Sequence, residues 1–357
     1  MPFRDWFLGV IKRLPRRKDA RKRRRGPATH VIVLDGTMST LRKGYETNAG
    51  LAFKLLRETG QSQNLTVYYE AGIQWPDWRS TLDVMMGKGI NRQIERAYGV
   101  LASRWREGDR IILVGYSRGA YAVRSLAGVI DRVGLVRNHQ ANVRNIRQAY
   151  RHYRAGEPTE ASRAFRAAFC HEHVEIEAVC AWDTVKALGL RLPIVWRFSE
   201  PNHAFHDHDL GPHVKHGFHA IALDETREAF APVLWQTQGE GGAEVEQVWF
   251  TGTHGDIGGQ INNFHAARPL ANIPLVWMLE RIEQCGVPLP EGWRDRYPCD
   301  AAAPSVSTWQ GWGKLFLFRK RRKVGTDPSE RLHHTVRRNV PGVKVHAAEA
   351  APADALS

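Results

Sequence analysis

The chain has 357 residues, which is enough for one large α/β domain or two ordinary ones. Its residues are 43% hydrophobic and 10% aromatic, a composition typical of a globular protein. Its four cysteines form no CxxC pair and no stretch approaches the ~18 apolar residues of a membrane span, which argues against a disulfide framework, a zinc finger and a transmembrane helix. The formal net charge of +14 is unevenly distributed along the chain, because residues 1–25 alone contain eleven Lys/Arg and only two Asp.

Residues 1–27 form a basic, amphipathic N-terminal tail. Trp6, Phe7, Val10, Ile11 and Leu14 recur at helical spacing and precede a dense Lys/Arg run. Such a segment suits an anionic membrane surface, although a disordered solubilising tail has the same composition. Nucleic acid ranks below both, because the run has no interleaved aromatic residues and no recognisable nucleic-acid module follows. No secretory signal is expected, since the apolar stretch is short and the charges follow it.

From residue 28 buried strands alternate with helices, which predicts an α/β fold with a mostly parallel central sheet flanked by helices. Predicted strands cover 30–37, 64–73, 110–115, 174–185 and 245–259, the last ending in a Gly-rich loop; predicted helices cover 47–60, 89–105, 118–130, 224–235 and 272–283.

We expect a catalytic domain at 28–300, with a helical insert or cap at 138–170. A basic and aromatic extension followed by a disordered tail is expected at 301–357.

The stretch "GYSRG", residues 115–119, places a serine between two glycines where a β-branched strand turns directly into a helix. This is G-x-S-x-G in the context that makes it a nucleophile motif. The turn is tight enough to strain the backbone of Ser117, and side chains at Gly115 and Gly119 would collide. Ser117 is therefore the candidate nucleophile.

A serine nucleophile needs a base and an orienting acid, which follow it in α/β-hydrolases in the order Asp or Glu, then His. Asp183 follows the strand "IEAVCAW", and His254 follows "EQVWF" within "TGTHGDIGG". Asp256 fits better as a residue that shapes this loop. His219 and Asp224 are less well placed, since Asp224 reads equally as a helix N-cap.

The oxyanion of an ester intermediate requires backbone N–H donors. The N–H of Arg118, at the start of the helix, is one candidate. The second is the N–H of Gly36 or Thr37 in the "LDGT" turn. Asp35 is expected to support that turn rather than to act as a catalyst.

A His-rich loop at 203–219 raises the question of a metal site. No paired HxxxH occurs on a predicted helix, so an active-site rim or lid explains the loop better, and we predict no metal and no cofactor. The histidines and aspartates concerned are His203, His206, His208, His213, His216, His219, Asp207 and Asp209.

Taken together, these motifs resemble an α/β-hydrolase-like family, long catalogued as a domain of unknown function, that includes bacterial type VI secretion phospholipase effectors. The resemblance spans about residues 30–280 and rests on "VLDGT", "ETNAGLAFKLL", "VYYEAGI", "GYSRGAYAVRSLAGVI", "AVCAWDTVKALG", "HAIALDETREAFAPVLW" and "VWFTGTHGDIGGQ". It implies an α/β-hydrolase core, Ser117 as nucleophile, His254 as base and lipid ester hydrolysis of phospholipase A type. The assignment of Asp183 rests on chain order and on its place after a strand, and not on the resemblance.

The sequence thus favours a serine esterase acting on lipid or phospholipid acyl esters through a Ser-His-Asp triad, without a cofactor. One alternative is a non-enzymatic hydrolase-fold module that binds a membrane or nucleic acid through its basic tails. Another is an esterase for small soluble substrates. We expect a cytoplasmic or peripheral membrane location, or export by a signal-less secretion system, and the sequence identifies no protein partner.

Overall fold

Buried strands rich in β-branched residues build one central sheet. In a computed structural model of the chain, the described residues are 26–60, 64–72, 88–185, 210–237, 242–309 and 316–346. The basic tail up to residue 25 and residues 203–209 of the His-rich segment lie outside them.

All neighbouring strands in the described sheet run parallel, in the order β2-β1-β3-β4-β5-β6-β7-β8. The predicted α/β class with a mostly parallel sheet is confirmed. The strands are β1 (Thr29–Leu34), β2 (Leu65–Glu70), β3 (Arg110–Tyr116), β4 (Ile176–Trp182), β5 (Val214–Ala222), β6 (Glu244–Phe250), β7 (Glu330–Leu332) and β8 (Lys344–Val345).

Helices cover both faces of the sheet, which is why β1 is buried along its whole length and why its residues 31–34 are all apolar. One face packs against α2, α3, α4 and α5, and the other against α1, α6 and α7. The helices are α1 (Asn48–Gly60), α2 (Lys88–Arg104), α3 (Arg118–Arg132), α4 (Val143–Arg154), α5 (Glu160–Phe169), α6 (His254–Gly258) and α7 (Arg268–Gln284).

The helical insert expected at 138–170 corresponds to α4 and α5. Tyr150 and Tyr153 of α4 and Phe165 of α5 are buried in the same core as α2 and α3. The Tyr150 hydroxyl also donates to the Asn91 side chain of α2 at 2.8 Å. The insert is therefore part of the helical layer on that face.

The prediction of a helix at 224–235 is wrong. The segment contains a 3₁₀ turn at Glu228–Phe230 and is otherwise irregular. The N–H of Glu228 donates to Phe318 O at 3.0 Å, and the N–H of Val233 donates to Thr184 O at 2.9 Å. These long-range partners take up backbone groups that a helix would satisfy locally.

Two further segments differ from their predicted form. The His-rich "loop" continues into β5 from Val214, and the Gly-rich loop after β6 contains the short helix α6.

Part of the C-terminal extension also belongs to the sheet, because β7 pairs with β6 and β8 pairs with β7. The tail beyond residue 346 lies outside the described residues.

All four cysteines are free, and within the described ranges no helix has both the length and the apolar character needed to cross a membrane.

Candidate active site

Ser117 occupies the single residue between β3 and α3, with φ 58° and ψ −120°. A non-glycine residue adopts this conformation only when its surroundings enforce it. A Cβ on Gly119 would lie 2.0 Å from Leu34 O, and one on Gly115 would lie 2.6 Å from Gly119 O. Both glycines are therefore needed for the helix to start this close to the sheet.

The side chain of Ser117 lies next to that of His254. Ser117 Oγ is 2.9 Å from His254 Nε2, although the residues are 137 positions apart in sequence. His254 is the first residue of α6, so the start of this helix brings the imidazole to the end of β3. The arrangement allows the imidazole to accept the serine proton.

Asp183 follows β4 directly and is fully buried, with φ 41°. Its Oδ2 lies 2.6 Å from His254 Nδ1, and its Oδ1 accepts the N–H of Ala222 at 2.9 Å. Since a carboxylate only accepts, Nδ1 carries a proton and Nε2 is left to accept from Ser117. The three predicted side chains thus form one hydrogen-bonded chain.

The electrostatics of this chain favour an ionised acid and a neutral base. Burial acts to raise the pKa of Asp183, but the charge of Arg322 and hydrogen bonds from His254 and Arg322 outweigh it and hold that pKa well below its usual range. Burial lowers the pKa of His254, and the hydrogen bond to Asp183 opposes only part of this effect. At neutral pH the imidazole can therefore take up a proton.

The interpretation of the sequence missed Arg322. Its Nη1 donates to Asp183 Oδ1 at 2.5 Å and its Nη2 donates to Asp183 Oδ2 at 2.9 Å. The side chain is only 4% exposed. Arg322 lies within the run "RKRRK", whose composition suggests a solvated surface, so no local signal marks it out.

Aromatic rings enclose His254. The rings of Tyr116 and Phe230 lie 5.0 and 4.9 Å from the imidazole centroid. Glu225, buried and paired with Arg227, accepts the backbone N–H of His254 at 3.2 Å. Aromatic rings and buried charged groups thus keep water away from the imidazole, which explains the effect of burial on its pKa.

The turn after β1 lies beside Ser117, since a Cβ on Gly36 would be 3.4 Å from Ser117 Cβ. The N–H of Gly36 donates to Asp35 Oδ1 at 2.7 Å. It is therefore engaged, whereas the N–H groups of Thr37 and Arg118 have no hydrogen-bond partner among the described residues. Of the predicted oxyanion donors, Thr37 and Arg118 remain available.

Asp35 holds the turn after β1. It accepts hydrogen bonds from the hydroxyls of Thr47 and Tyr69 at 2.7–2.8 Å, in addition to the Gly36 N–H. Burial raises the pKa of Asp35 to about 6, and these hydrogen bonds oppose the rise. These contacts tie Asp35 to the turn, to Thr47 just before α1 and to Tyr69 in β2.

The other candidate acids have hydrogen-bond partners outside the Ser117–His254–Asp183 chain, and Asp256 Oδ1 also accepts the N–H of Val306 at 2.8 Å. Asp256 caps α6, because its Oδ2 accepts from the N–H and the hydroxyl of Thr253 at 2.7 and 2.9 Å. Asp224 is exposed and accepts the N–H of Gly252 at 2.7 Å. These contacts tie Asp224 to the turn after β6, and Asp256 to the start of α6 and to residue 306.

The described histidines of the His-rich segment each have a different partner. His213 pairs with Asp131, and His216 lies 3.3 Å from Glu244. His219 is buried, accepts the N–H of Thr184 through Nε2 at 3.1 Å, and has its pKa lowered to about 3 by burial. Over the described ranges, no group of three or more His, Cys, Asp or Glu side chains is arranged to hold a metal.

Three solved or curated proteins resemble the chain in part. An uncharacterised protein of Saccharomyces cerevisiae is 26% identical over 226 residues, which covers 56% of this chain and 31% of that protein. A crystal structure of an uncharacterised protein from Pseudomonas aeruginosa aligns at 16% identity and a TM-score of 0.44, over 76% of this chain and 49% of its own. The structure of the Tle1 effector bound to the VgrG spike from the type 6 secretion system aligns at 18% identity and a TM-score of 0.34, over 66% and 51%.

The chain spans about a third of the length of the yeast protein and about half of each solved chain. A family model described as the catalytic domain of Tle1-like phospholipase effectors of the type VI secretion system matches residues 29–281, which is more than half of the chain. The matched region contains Ser117, Asp183 and His254. The chain therefore belongs to the family of Tle1-like phospholipase effector catalytic domains.

Proposed function

We propose that the protein is a serine hydrolase of lipid or phospholipid acyl esters. The observation that carries this proposal is the chain Ser117 Oγ–His254–Asp183, with distances of 2.9 and 2.6 Å, within a phospholipase effector domain. An isolated serine hydroxyl is a weak nucleophile, and a neutral imidazole oriented by a carboxylate is what activates it.

In the proposed mechanism, His254 Nε2 takes the proton of Ser117 as Oγ attacks the ester carbonyl. The N–H groups of Arg118 and Thr37 stabilise the oxyanion. The imidazolium returns its proton to the leaving alcohol, which departs and leaves an acyl-enzyme. Water then attacks this ester, again with His254 as base, and releases the fatty acid and free Ser117.

The test is covalent labelling with a fluorophosphonate probe. We expect one adduct on Ser117 in the wild-type protein and none in Ser117→Ala, whose fold should persist because Ser117 Oγ makes its contact with His254 rather than with the core. Intact-mass measurement gives the stoichiometry and circular dichroism checks the fold. A folded wild-type protein that remains unlabelled while binding vesicles would instead support the non-enzymatic binding module.

An apolar and basic rim beside the site supports a lipid substrate over a small soluble one. Trp309, Leu317 and Phe318 are 56%, 77% and 57% exposed. The ring of Phe316 packs 5.3 Å from that of Phe230, which in turn contacts His254. Leu317 and Phe318 therefore flank the site, and the exposed residues Lys320 and Arg321 follow in sequence. Such a combination suits an anionic lipid surface.

The double variant Leu317→Ala/Phe318→Ala tests this rim. Loss of two apolar side chains that enter the lipid should lower the ratio of the rate on anionic vesicles to the rate on a soluble ester about tenfold or more. Val143→Ala, which truncates a 63% exposed side chain at the start of α4, is the matched control and should leave the ratio unchanged. An unchanged ratio in the double variant would favour the soluble esterase.

Export without a cleaved signal is a further proposal, supported by membership of the type VI secretion effector family. Binding to a secretion spike protein is another, because the Tle1 effector, after which the family is named, is bound to the VgrG spike in its solved structure. The basic tail at 1–27 is proposed to add contact with the membrane surface.

A further inference from the structure

The acid of the proposed triad forms a buried ion pair with Arg322. Side-chain exposure is 4% for the arginine and 0% for Asp183, and the two nitrogens Nη1 and Nη2 each donate to one carboxylate oxygen. Such a two-point contact fixes the plane of the carboxylate as well as its distance. That plane directs Oδ2 towards His254 Nδ1.

The remaining contacts of Arg322 fix it to the elements around the site. Nη1 also donates to Ala222 O at the end of β5 at 2.9 Å, and Nη2 donates to Phe230 O. Its Nε is buried without a hydrogen-bond partner among the described residues. The orientation of the guanidinium thus satisfies both oxygens of Asp183 while its own Nε–H group remains unsatisfied.

The segment that carries Arg322 is docked independently of that contact. Lys320 N–H donates to Thr226 O at 2.7 Å, and Phe318 O accepts the N–H of Glu228. The guanidinium of Arg319 lies 3.9 Å from the ring centroid of Trp309 and donates to Thr308. Removing the Arg322 side chain should therefore leave the path of the segment in place.

The charged groups around His254 come from several elements. Asp183 follows β4 and contacts the imidazole directly, and Glu225 and Arg227 lie in the segment after β5. Arg322 offsets the charge of Asp183 through its contacts with both carboxylate oxygens. Loss of this cation leaves an excess of negative charge at the imidazole, which favours imidazolium.

We propose that Arg322 is a positioning residue of the site, although it lies outside the family-matched residues 29–281. It fixes the Asp183 carboxylate towards His254 and offsets the charge of that carboxylate. His254 therefore stays neutral and ready to accept the Ser117 proton. This inference rests on the proposed serine hydrolase function.

The test is the rate of fluorophosphonate labelling of the full chain as a function of pH. Since neutral His254 is the reactive form, the acid limb of this profile reports its protonation. For Arg322→Met we expect a plateau rate at least tenfold lower and an acid limb shifted to higher pH by about one unit. Arg322→Lys keeps the charge but loses the two-point contact, so its limb should stay in place while its plateau falls several-fold.

Lys323→Met is the matched control, because it removes an exposed cation that directly follows Arg322 and is not part of the ion pair with Asp183. Its acid limb should coincide with that of the wild type. An unshifted limb in folded Arg322→Met would overturn the proposal. If Arg322→Met does not fold, a wild-type plateau in Arg322→Lys would overturn it instead. Absence of labelling in the wild type would contradict the proposed hydrolase function itself, which separates the two failures.

Discussion

Replacement of Asp183 by asparagine is expected to lower kcat/KM for an ester substrate about 10⁴-fold. Both carboxylate oxygens of Asp183 accept hydrogen bonds: Oδ2 from His254 and Arg322, and Oδ1 from Ala222 and Arg322. An amide NH₂ at either place faces a donor. If it faces His254, the imidazole must move its proton to Nε2, where it can no longer accept from Ser117.

The same substitution leaves the buried Arg322 charge without its counter-ion. Breaking a buried pair from one side costs about 3–5 kcal/mol, so the urea midpoint should also fall. Asp224→Asn is the matched control, because this exposed side chain keeps a carbonyl oxygen for the Gly252 N–H, and its kcat/KM should stay within a few-fold of the wild type. Near wild-type turnover in folded Asp183→Asn would remove Asp183 from the proposed mechanism.

Replacement of Gly119 by alanine is expected to destabilise the fold by about 3 kcal/mol or more. The added Cβ would lie 2.0 Å from Leu34 O and 2.6 Å from Asp35 O, and both contacts are with backbone that cannot rotate away. Relief requires α3 to move off β1, which also separates Ser117 from the turn that carries Thr37. Urea unfolding measures the loss of stability, and fluorophosphonate labelling measures the loss of the site.

Gly99→Ala provides the comparison. Gly99 lies inside α2, and its added Cβ would meet only Ile146 Cδ1, at 3.1 Å. A flexible side-chain end can shift, and alanine gains about 1 kcal/mol of helix propensity over glycine, so the free energy of unfolding should change by no more than about that amount. Equal unfolding midpoints for Gly119→Ala and the wild type would contradict the steric argument.

The sequence predicted the central part of the fold because its signals are local. The strand before Ser117 is apolar and β-branched, the helix follows at once, and the two glycines mark the close approach of backbone. Asp183 and His254 were found by a rule of topology, since the ends of parallel strands meet at one edge of the sheet. In the structure, His254 lies within hydrogen-bond distance of both Asp183 and Ser117.

Features that depend on distant partners were not predictable in this way. The pattern of 224–235 favours a helix, but its backbone bonds with residues near 184 and 318 replace the helical ones. Whether the N–H of Gly36 is free for an oxyanion depends on the rotamer of Asp35, whose carboxylate accepts from it. Arg322 looks like its basic neighbours, and only the path of the C-terminal segment distinguishes its buried side chain from the exposed Arg321.

Arg322 follows the other residues of the site in sequence, and this order has a consequence for biosynthesis. A ribosome makes residues 117, 183 and 254 well before residue 322, and strands β7 and β8 are completed later still. A nascent or prematurely ended polypeptide would therefore contain the serine, the aspartate and the histidine while the buried carboxylate lacked its cation. On the proposed mechanism, such a chain gains its full hydrolytic capacity only after residue 322 has been made, so products that stop before that residue are poor catalysts.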